Sequence, residues 1–368
     1  MSDARRRSPL LSWTVLAPPV ALLVLALTWG HHIDTWLAVV IALVLAGAVL
    51  AAVHHAEVVA HRVGEPYGSL LLAVAVTVIE VGLIVTLMIS GGSESETASL
   101  ARDTVFAAVM ITTNGIVGLS LLLGAIRSGT ARFHPEGSGA ALATVATLSA
   151  LALVLPTFTT SARGPEFSGS QLTFAALASL ALYGMFVFTQ TGRHRDFFLP
   201  VESRGSADPD GHAPPATTRA ALVSLGLLLV ALVGVVGLAK VESHTIESAV
   251  DAVGFPPSFV GVVIALLVLA PETLAAGRAS RRRQVQISLN LAYGSAMASI
   301  GLTIPAIAVA SIWLKGPLLL GLGSTQLVLL AITVCVSILT VVPGRATRLQ
   351  GGVHLVLLAA FVFLAINP

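Results

Sequence analysis

The chain has 368 residues, of which 55% are hydrophobic and only 10% are charged, and its mean hydropathy is +0.91. Soluble globular proteins carry about 25% charged residues, so this composition excludes a water-soluble globular fold of this size. The formal net charge of +2 is too small to indicate a class of binding partner. The single cysteine, Cys335, excludes an intramolecular disulfide framework.

Apolar stretches that are long enough to cross a bilayer recur along the whole chain. A spanning helix needs about 20 apolar residues. The first stretch is interpreted as a retained helix, because His31, His32 and Asp34 follow it where a signal peptide would have small residues. An all-α polytopic membrane protein is therefore expected. Its eleven predicted helices cover approximately residues 13–30, 34–56, 67–90, 104–127, 139–160, 171–191, 219–240, 257–278, 285–312, 317–342 and 351–367.

Two of these stretches contain residues that disturb a helix. The ninth contains Gly294, Gly301 and Pro305 and is expected to be broken. The tenth begins with the dipeptide Gly-Pro and is expected to be kinked there.

The distribution of Lys and Arg supports this count of helices. With a cytoplasmic N-terminus, the segments predicted to lie inside hold 16 of the 20 Lys and Arg residues, and the outside segments hold the other four. Cytoplasmic loops of membrane proteins carry such an excess of positive charge, and a miscounted helix would scramble the alternation. The pattern predicts a cytoplasmic N-terminus and a C-terminus outside.

A polar segment divides the chain into two sets of five helices. Residues 192–218 contain "ADPDGHAPP", which is typical of a flexible loop, and are predicted to be cytoplasmic. Residues 1–33 hold the N-terminus and first helix, residues 34–191 the first set, and residues 219–368 the second. The two sets enter the membrane in opposite orientation, which is the inverted-repeat architecture of many secondary transporters.

Two glutamates lie inside predicted membrane helices, whereas the other acidic residues are predicted to lie in loops or at helix ends. Glu80 is in the middle of "LAVAVTVIEVGLIVTLM", and Glu272 follows Pro271 in "LLVLAPETLAAG". A charge at the bilayer centre costs at least about 2.5–3.5 kcal/mol, so such a residue faces protein or water and is a candidate functional residue. A protonated or salt-bridged structural glutamate is the plainer alternative.

Inverted symmetry would bring the two glutamates together near the membrane midplane, because each lies in the second helix of its five-helix set. Paired carboxylates supply the anionic oxygens that a hard cation such as Ca²⁺ prefers. The same pair can hold protons instead. Since cation and protons compete for the same oxygens, the pair predicts a metal and proton site that supports antiport.

Polar residues near each glutamate extend this candidate site. Thr77 lies three residues before Glu80 and shares its helix face. Pro271 removes the helical hydrogen bond to the carbonyl of residue 267, which becomes a candidate ligand. Close helix packing is the alternative explanation for the small and polar residues of the two following helices. These further candidates are Thr113, Asn114, Asn290, Gly294, Ser295 and Ser299.

A separate cluster lies at the cytoplasmic end of the second helix, in "HHAEVVAHRVGEP". His54, Glu57 and His61 share one helix face and could bind a transition metal, although they do not form an H-E-x-x-H motif. A polar collar at the membrane interface is the favoured interpretation. Glu57 and Glu65 are candidates for an inner vestibule that attracts cations.

The segments around both glutamates carry a family resemblance. "HAEVVAHRVGEPYGSLLLAVAVTVIEVGLIVTLM" resembles the first repeat of bacterial ChaA-type calcium/proton antiporters, and "APETLAAGRASRRRQVQISLNLAYGSAMASIGLTIPAIAV" resembles their second repeat. The chain is thereby identified as a member of the Ca²⁺:cation antiporter superfamily. The resemblance implies a sodium/calcium exchanger-like fold, with one extra N-terminal helix before two inverted five-helix repeats. It also implies that Glu80 and Glu272 are the paired acidic ligands.

The resemblance implies export of Ca²⁺ in exchange for H⁺ across the plasma membrane of a bacterium, without a resident cofactor or a nucleic-acid partner. Na⁺(K⁺)/H⁺ antiport is the alternative, because "AVTVIE" and "VLAPE" both lack the asparagine of the family's usual Gly-Asn-Ala-x-Glu pattern. A metalloenzyme that uses His54, Glu57 and His61 is a remote alternative, and no enzymatic activity is expected. The oligomeric state is left open.

Overall fold

The computed structural model describes residues 12–31, 33–64, 67–90, 98–192, 194–201, 217–314 and 316–368, and these residues are mostly helical. Apolar segments form helices in a bilayer because only there are all backbone polar groups satisfied within the segment. The helices are α1 (Trp13–Thr28), α2 (Thr35–Val63), α3 (Tyr67–Ser90), α4 (Leu100–Met110), α5 (Val117–Ser128), α6 (Pro135–Ser149), α7 (Leu155–Phe158), α8 (Gly169–Thr191), α9 (Thr218–Ala252), α10 (Phe259–Arg281), α11 (Val285–Gly301), α12 (Thr303–Ala310), α13 (Ser324–Val341) and α14 (Arg348–Ile366).

Short elements connect several of these helices. A π-helical turn, Ile111–Ile116, joins α4 to α5, and a second, Ala150–Val154, joins α6 to α7. A 3₁₀ turn, Arg195–Phe198, follows α8. The two-residue strands β1 (Ala131–Arg132) and β2 (Arg345–Ala346) pair antiparallel and connect the end of α5 to the start of α14.

The predicted all-α membrane fold is confirmed. Within the described residues, ten helical segments are long and apolar enough to span a membrane, and α1, with 16 residues, is a shorter apolar helix. Each of the eleven predicted stretches coincides with helix. The predicted break in the ninth is present, since α11 ends at Gly301 and α12 begins at Thr303.

Three predicted boundaries are wrong by seven residues or more. The second helix ends at Val63 instead of residue 56. The tenth helix begins at Ser324 instead of residue 317, so its Gly-Pro dipeptide lies before the helix and does not kink it. Residues 316–323 lie outside helices because their backbone bonds to distant segments, such as Leu319 N to Ala98 O at 3.0 Å. The seventh helix continues to Ala252 instead of ending near residue 240.

The described residues form two compact units, and each unit contains segments of both predicted repeats. The first unit takes its residues from 1–91 and 211–246, which gives α1, α2, α3 and most of α9. Here α2 packs against α1 and α3. A Cβ on Gly234 of α9 would lie 2.9 Å from Ala21 Cβ, so glycine allows α9 to approach α1 closely.

The second unit takes its residues from 92–210 and 247–368, which gives α4 to α8 and α10 to α14. Helix α10 packs against α4 and α11, and α14 packs against α5. A glycine sets the distance between α10 and α4, and another sets the distance between α14 and α5. A Cβ on Gly261 would lie 2.7 Å from Thr104 N, and one on Gly351 would lie 2.7 Å from Leu122 N. The division into inverted repeats, which follows the order of the helices, stays a prediction.

Candidate functional site

Glu80 lies on the buried face of α3 in the first unit, and only 2% of it is exposed. Ile79, Leu83 and Ile84 are buried beside it, and Thr77 is buried on the same helix. The Glu80 side chain is therefore enclosed by protein within a helix that is apolar enough to span a membrane.

Glu272 lies on α10 in the second unit and is half-buried. Helix α10 runs without interruption through Pro271, from Phe259 to Arg281. Because proline has no N–H group, the carbonyl of Leu267 lacks its usual helical donor. The hydroxyl of Thr273 donates to the carbonyl of Leu269 at 2.8 Å. The proline thus changes the hydrogen bonding next to Glu272 without ending the helix.

The candidates Thr113 and Asn114 lie in the π-helical turn between α4 and α5, and both are buried. This turn packs against α10, which carries Glu272, and against α11. The Thr113 hydroxyl donates to the carbonyl of Val109 at 2.6 Å, which leaves its oxygen lone pairs as acceptors. Single π-helical turns are frequent at functional sites.

Asn114 forms a buried polar network with α13 and α14. Its Nδ2 donates to Thr333 Oγ1 at 3.0 Å, and its Oδ1 lies 3.1 Å from Nδ1 of His354. His354 Nε2 lies 3.2 Å from Thr340 Oγ1, and the residue is 0% exposed. A neutral imidazole with its proton on Nδ1 satisfies all these contacts. Both polar atoms of the Asn114 amide are thus occupied by protein partners.

The sequence analysis omitted His354, although its signal was present. It is an ionisable residue inside the apolar segment "GGVHLVLLAAFVF", which is the criterion that identified Glu80 and Glu272. Nothing in the local sequence indicates its partners, because Asn114 is 240 residues away.

Replacement of His354 tests the strength of this network. We expect His354→Leu to lower the free energy of unfolding by about 2 kcal/mol, because it removes one partner from two buried polar groups. His354→Gln retains a donor and an acceptor and should lose less than half as much. Thermal unfolding in detergent measures both changes. Equal losses in the two variants would contradict the assigned hydrogen bonds.

The candidates on α11 have different surroundings. Asn290 accepts from Gln286 Nε2 at 2.8 Å and donates to the carbonyl of Phe198 at 2.6 Å, so it attaches α11 to the 3₁₀ turn. Ser299 is buried, whereas Gly294 and Ser295 are half-buried. A Cβ on Gly294 would meet no atom within 4 Å, so close packing does not explain this glycine.

The histidine cluster of α2 does not form a metal site. His54 and His61 are exposed and Glu57 is half-buried, and the described residues contain no group of three or more His, Cys, Asp or Glu placed to hold a metal ion. The vestibule candidate Glu65 lies outside the described residues.

The neighbouring His55 is the buried histidine of this segment, and the sequence analysis gave it no role. Its Nε2 lies 2.9 Å from the carbonyl of Thr14, and its Nδ1 lies 3.3 Å from Ser224 Oγ. His55 therefore connects α2 to α1 and α9.

Two further acidic residues are buried near the ends of helices that are apolar enough to span a membrane. Asp103 is buried in α4 and receives hydrogen bonds from Arg102 Nε at 2.8 Å, Ser99 Oγ at 2.8 Å and Gln326 Nε2 at 3.3 Å. Glu242 is buried in α9. Both were missed because the predicted fourth helix began after Asp103 and the predicted seventh helix ended before Glu242.

Comparison with known proteins supplies independent information. The family model described as "Sodium/calcium exchanger protein" matches residues 33–192 and 223–367. A protein of Sinorhizobium fredii (strain NBRC 101917 / NGR234) named as an ionic transporter, y4hA, is 44% identical over 366 residues, which cover 98% of this chain and 97% of the relative. The sodium-potassium/proton antiporter ChaA of Escherichia coli (strain K12) is 35% identical over 355 residues, with 95% of each chain covered.

Among solved structures, native YfkE, a Ca²⁺/H⁺ antiporter protein, has a TM-score of 0.71 at 17% sequence identity. The match covers 97% of this chain and 99% of that chain. At this identity the likeness shows a shared fold.

Proposed function

The chain belongs to the sodium/calcium exchanger protein family, and on that premise we propose that it exports Ca²⁺ from the cytoplasm in exchange for H⁺. Family membership makes it a multi-pass membrane transporter rather than an enzyme, as the sequence predicts. The plasma membrane of a bacterium, with a cytoplasmic N-terminus, is the location that the charge distribution supports. The observation that supports the proposal most directly is the burial of the Glu80 carboxylate, which lies on an apolar helix.

The proposed coupling follows from the cost of an ionised carboxylate in apolar surroundings. Such a group is strongly unfavourable unless a cation or a proton neutralises it. Glu80 and Glu272 are then stable when they hold protons or a cation, and unstable when they are ionised and empty. The site switches readily between facing the cytoplasm and facing the outside only when it holds a cation or protons. Outward movement of the cation therefore requires inward movement of protons.

The charge of the proposed ligands favours a divalent ion. Two carboxylates carry a total charge of −2, which one Ca²⁺ neutralises, and oxygen ligands suit this hard cation. One Na⁺ or K⁺ would leave a negative charge that a retained proton must neutralise. The polar atoms of Thr113 and the serines of α11 are proposed to line the same path, whereas the Asn114 amide acts through its hydrogen bonds to α13 and α14.

A second candidate is Na⁺(K⁺)/H⁺ antiport on the same fold. ChaA, which is named as a sodium-potassium/proton antiporter, is similar to this chain over nearly its full length. Both glutamate segments also lack the asparagine of the usual family pattern. The two candidates use the same carboxylates and differ in how many protons accompany each cation.

Everted membrane vesicles distinguish the two candidates. With a fluorescent probe of ΔpH, we expect CaCl₂ to dissipate the gradient at a lower concentration than NaCl or KCl. Vesicles without the protein, matched in lipid and respiration rate, provide the control. Dissipation by Na⁺ or K⁺ without a response to Ca²⁺ would replace the first candidate by the second, and no response to any cation would contradict both.

A further inference from the structure

Glu242 is a buried carboxylate that the exchange described above does not use. It lies on α9, in the part of this helix that belongs to the first unit, and is 2% exposed. Within the described residues its carboxylate has no hydrogen bond and no ion pair, and its Oε1 is fully buried. An ionised carboxylate in this situation is strongly unfavourable.

Glu242 lies near the end of the membrane span, but it is buried because it lies on the helix face that packs against protein. Leu228, Ala231, Val235 and Leu238 are buried along α9 at intervals of three and four residues. Glu242 follows Leu238 by four residues and continues this buried face. The side chain therefore lies on the helix face that packs inside the protein.

Among the side chains that the structure describes, no cation forms an ion pair with this carboxylate. Lys240, on the same helix, is exposed, and its Nζ lies 5.1 Å from the centre of the Trp29 ring. Helix α1 carries no titratable side chain, and α3 carries Glu80 and Tyr67. The titratable groups of α2 lie at its C-terminal end, between His54 and Arg62, and Asp34 before α2 is exposed.

Helices α3 and α9 begin at the same end of the first unit. Arg62, at the end of α2, donates to Thr218 Oγ1 at the start of α9 over 3.0 Å. Gly68, at the start of α3, lies so close to α2 that an added Cβ would be 2.5 Å from the carbonyl oxygen of Ala60. Both helices therefore start beside the end of α2 and run in the same direction.

A contact between α3 and α9 places the two buried carboxylates at different heights. A Cβ on Gly82 would lie 2.8 Å from Val236 Cγ2, so these residues are level with each other. Glu80 precedes Gly82 by two residues and Glu242 follows Val236 by six. At 1.5 Å per residue, Glu242 lies about 12 Å farther along the helix axis, towards the end that the charge distribution predicts to be outside.

We propose that Glu242 is an accessory proton-binding site on the outer side, through which protons reach Glu80. The inference rests on the proposed function, since it requires that protons enter as the cation leaves. A proton from outer water forms an O–H bond on the Glu242 carboxylate. That bond breaks when the proton moves inward through water to the Glu80 carboxylate, and Glu242 is then reprotonated from outside.

The test separates proton entry from cation binding in proteoliposomes of one orientation. We expect Glu242→Gln to reduce H⁺-coupled exchange about tenfold at high outer pH. The apparent affinity for the cation on the cytoplasmic side should stay unchanged. Cation self-exchange, which moves no protons, should also stay within twofold of the unsubstituted protein. Glu242→Asp, which keeps a carboxylate, is the matched variant and should retain coupled exchange.

Either of two outcomes in a folded glutamine variant would overturn the proposal. One is a Glu242→Gln variant with unchanged dependence on outer pH. The other is an equal loss of coupled exchange and self-exchange, which would assign Glu242 a structural or cation-binding role. If the glutamine variant does not fold, loss of coupled exchange in a folded Glu242→Asp variant also contradicts it. Failure of the proposed function is distinct, because the unsubstituted protein would then show no proton-coupled exchange.

Discussion

Glu80→Gln is expected to reduce cation/proton exchange at least about 100-fold. Glutamine has nearly the same shape and polarity, but it can neither neutralise a cation nor bind and release a proton. Loss of one member of a buried carboxylate–cation pair weakens binding by about 2–5 kcal/mol, and about 1.4 kcal/mol corresponds to a factor of ten. The initial rate of ΔpH dissipation in everted vesicles measures the loss. Glu272→Gln should behave in the same way.

Glu57→Gln provides the matched control for this prediction. Glu57 is half-buried near the C-terminal end of α2, and its substitution makes the same change of charge. It should retain most of the exchange activity, with at most a reduced cation affinity if the vestibule prediction is right. Full activity of a folded Glu80→Gln variant would contradict the exchange mechanism.

Gly351→Val is expected to destabilise the second unit strongly, by about 3 kcal/mol or more. An added Cβ would lie 2.7 Å from Leu122 N and 2.9 Å from the carbonyl oxygen of Gly118. Both are backbone atoms of α5, so no side-chain rotation relieves the contact. Separation of α14 from α5 would also stretch the hydrogen bond between His354 and Asn114. The yield of monodisperse protein and the midpoint of thermal unfolding report this effect.

The adjacent glycine offers a control with the same chemistry. A Cβ on Gly352 would meet no atom within 4 Å. Gly352→Val should therefore leave the unfolding midpoint unchanged or slightly raised, since valine is a better helix former than glycine. Similar behaviour of the two variants would show that the α5–α14 contact is not as close as described.

The spanning helices could be predicted because each one depends on the hydropathy of its own segment and not on distant residues. A bilayer requires each crossing segment to satisfy its own backbone, so hydropathy alone locates it. The end of α9 was missed because residues 241–252 contain too many polar residues to extend the apolar stretch, although they continue the helix. Residues 316–323 were misassigned because their conformation depends on partners such as Ala98, more than 200 residues away.

The sequence alone selects the two glutamates as candidates, but it does not show the contacts of the other candidate residues. An acidic residue in an apolar stretch identifies Glu80 and Glu272 without any structural information. The roles of Asn114 and Asn290 could not be assigned, because their partners are His354, Thr333 and Phe198, which are distant in the sequence. The π-helical turn that holds Asn114 could not be predicted, because Gly115 within it does not distinguish a π-helical turn from a continuous α-helix.

The bond between Asn114 and His354 has a consequence for biosynthesis. During translation, α4 and α5 leave the ribosome more than 200 residues before the segment that satisfies the Asn114 amide. Until α14 inserts, the amide oxygen of Asn114 lacks the His354 donor, and lipid offers no replacement. Insertion of α14 thus completes the hydrogen bonding of Asn114, and a chain without α14 would leave the Asn114 amide oxygen without its His354 donor inside the membrane.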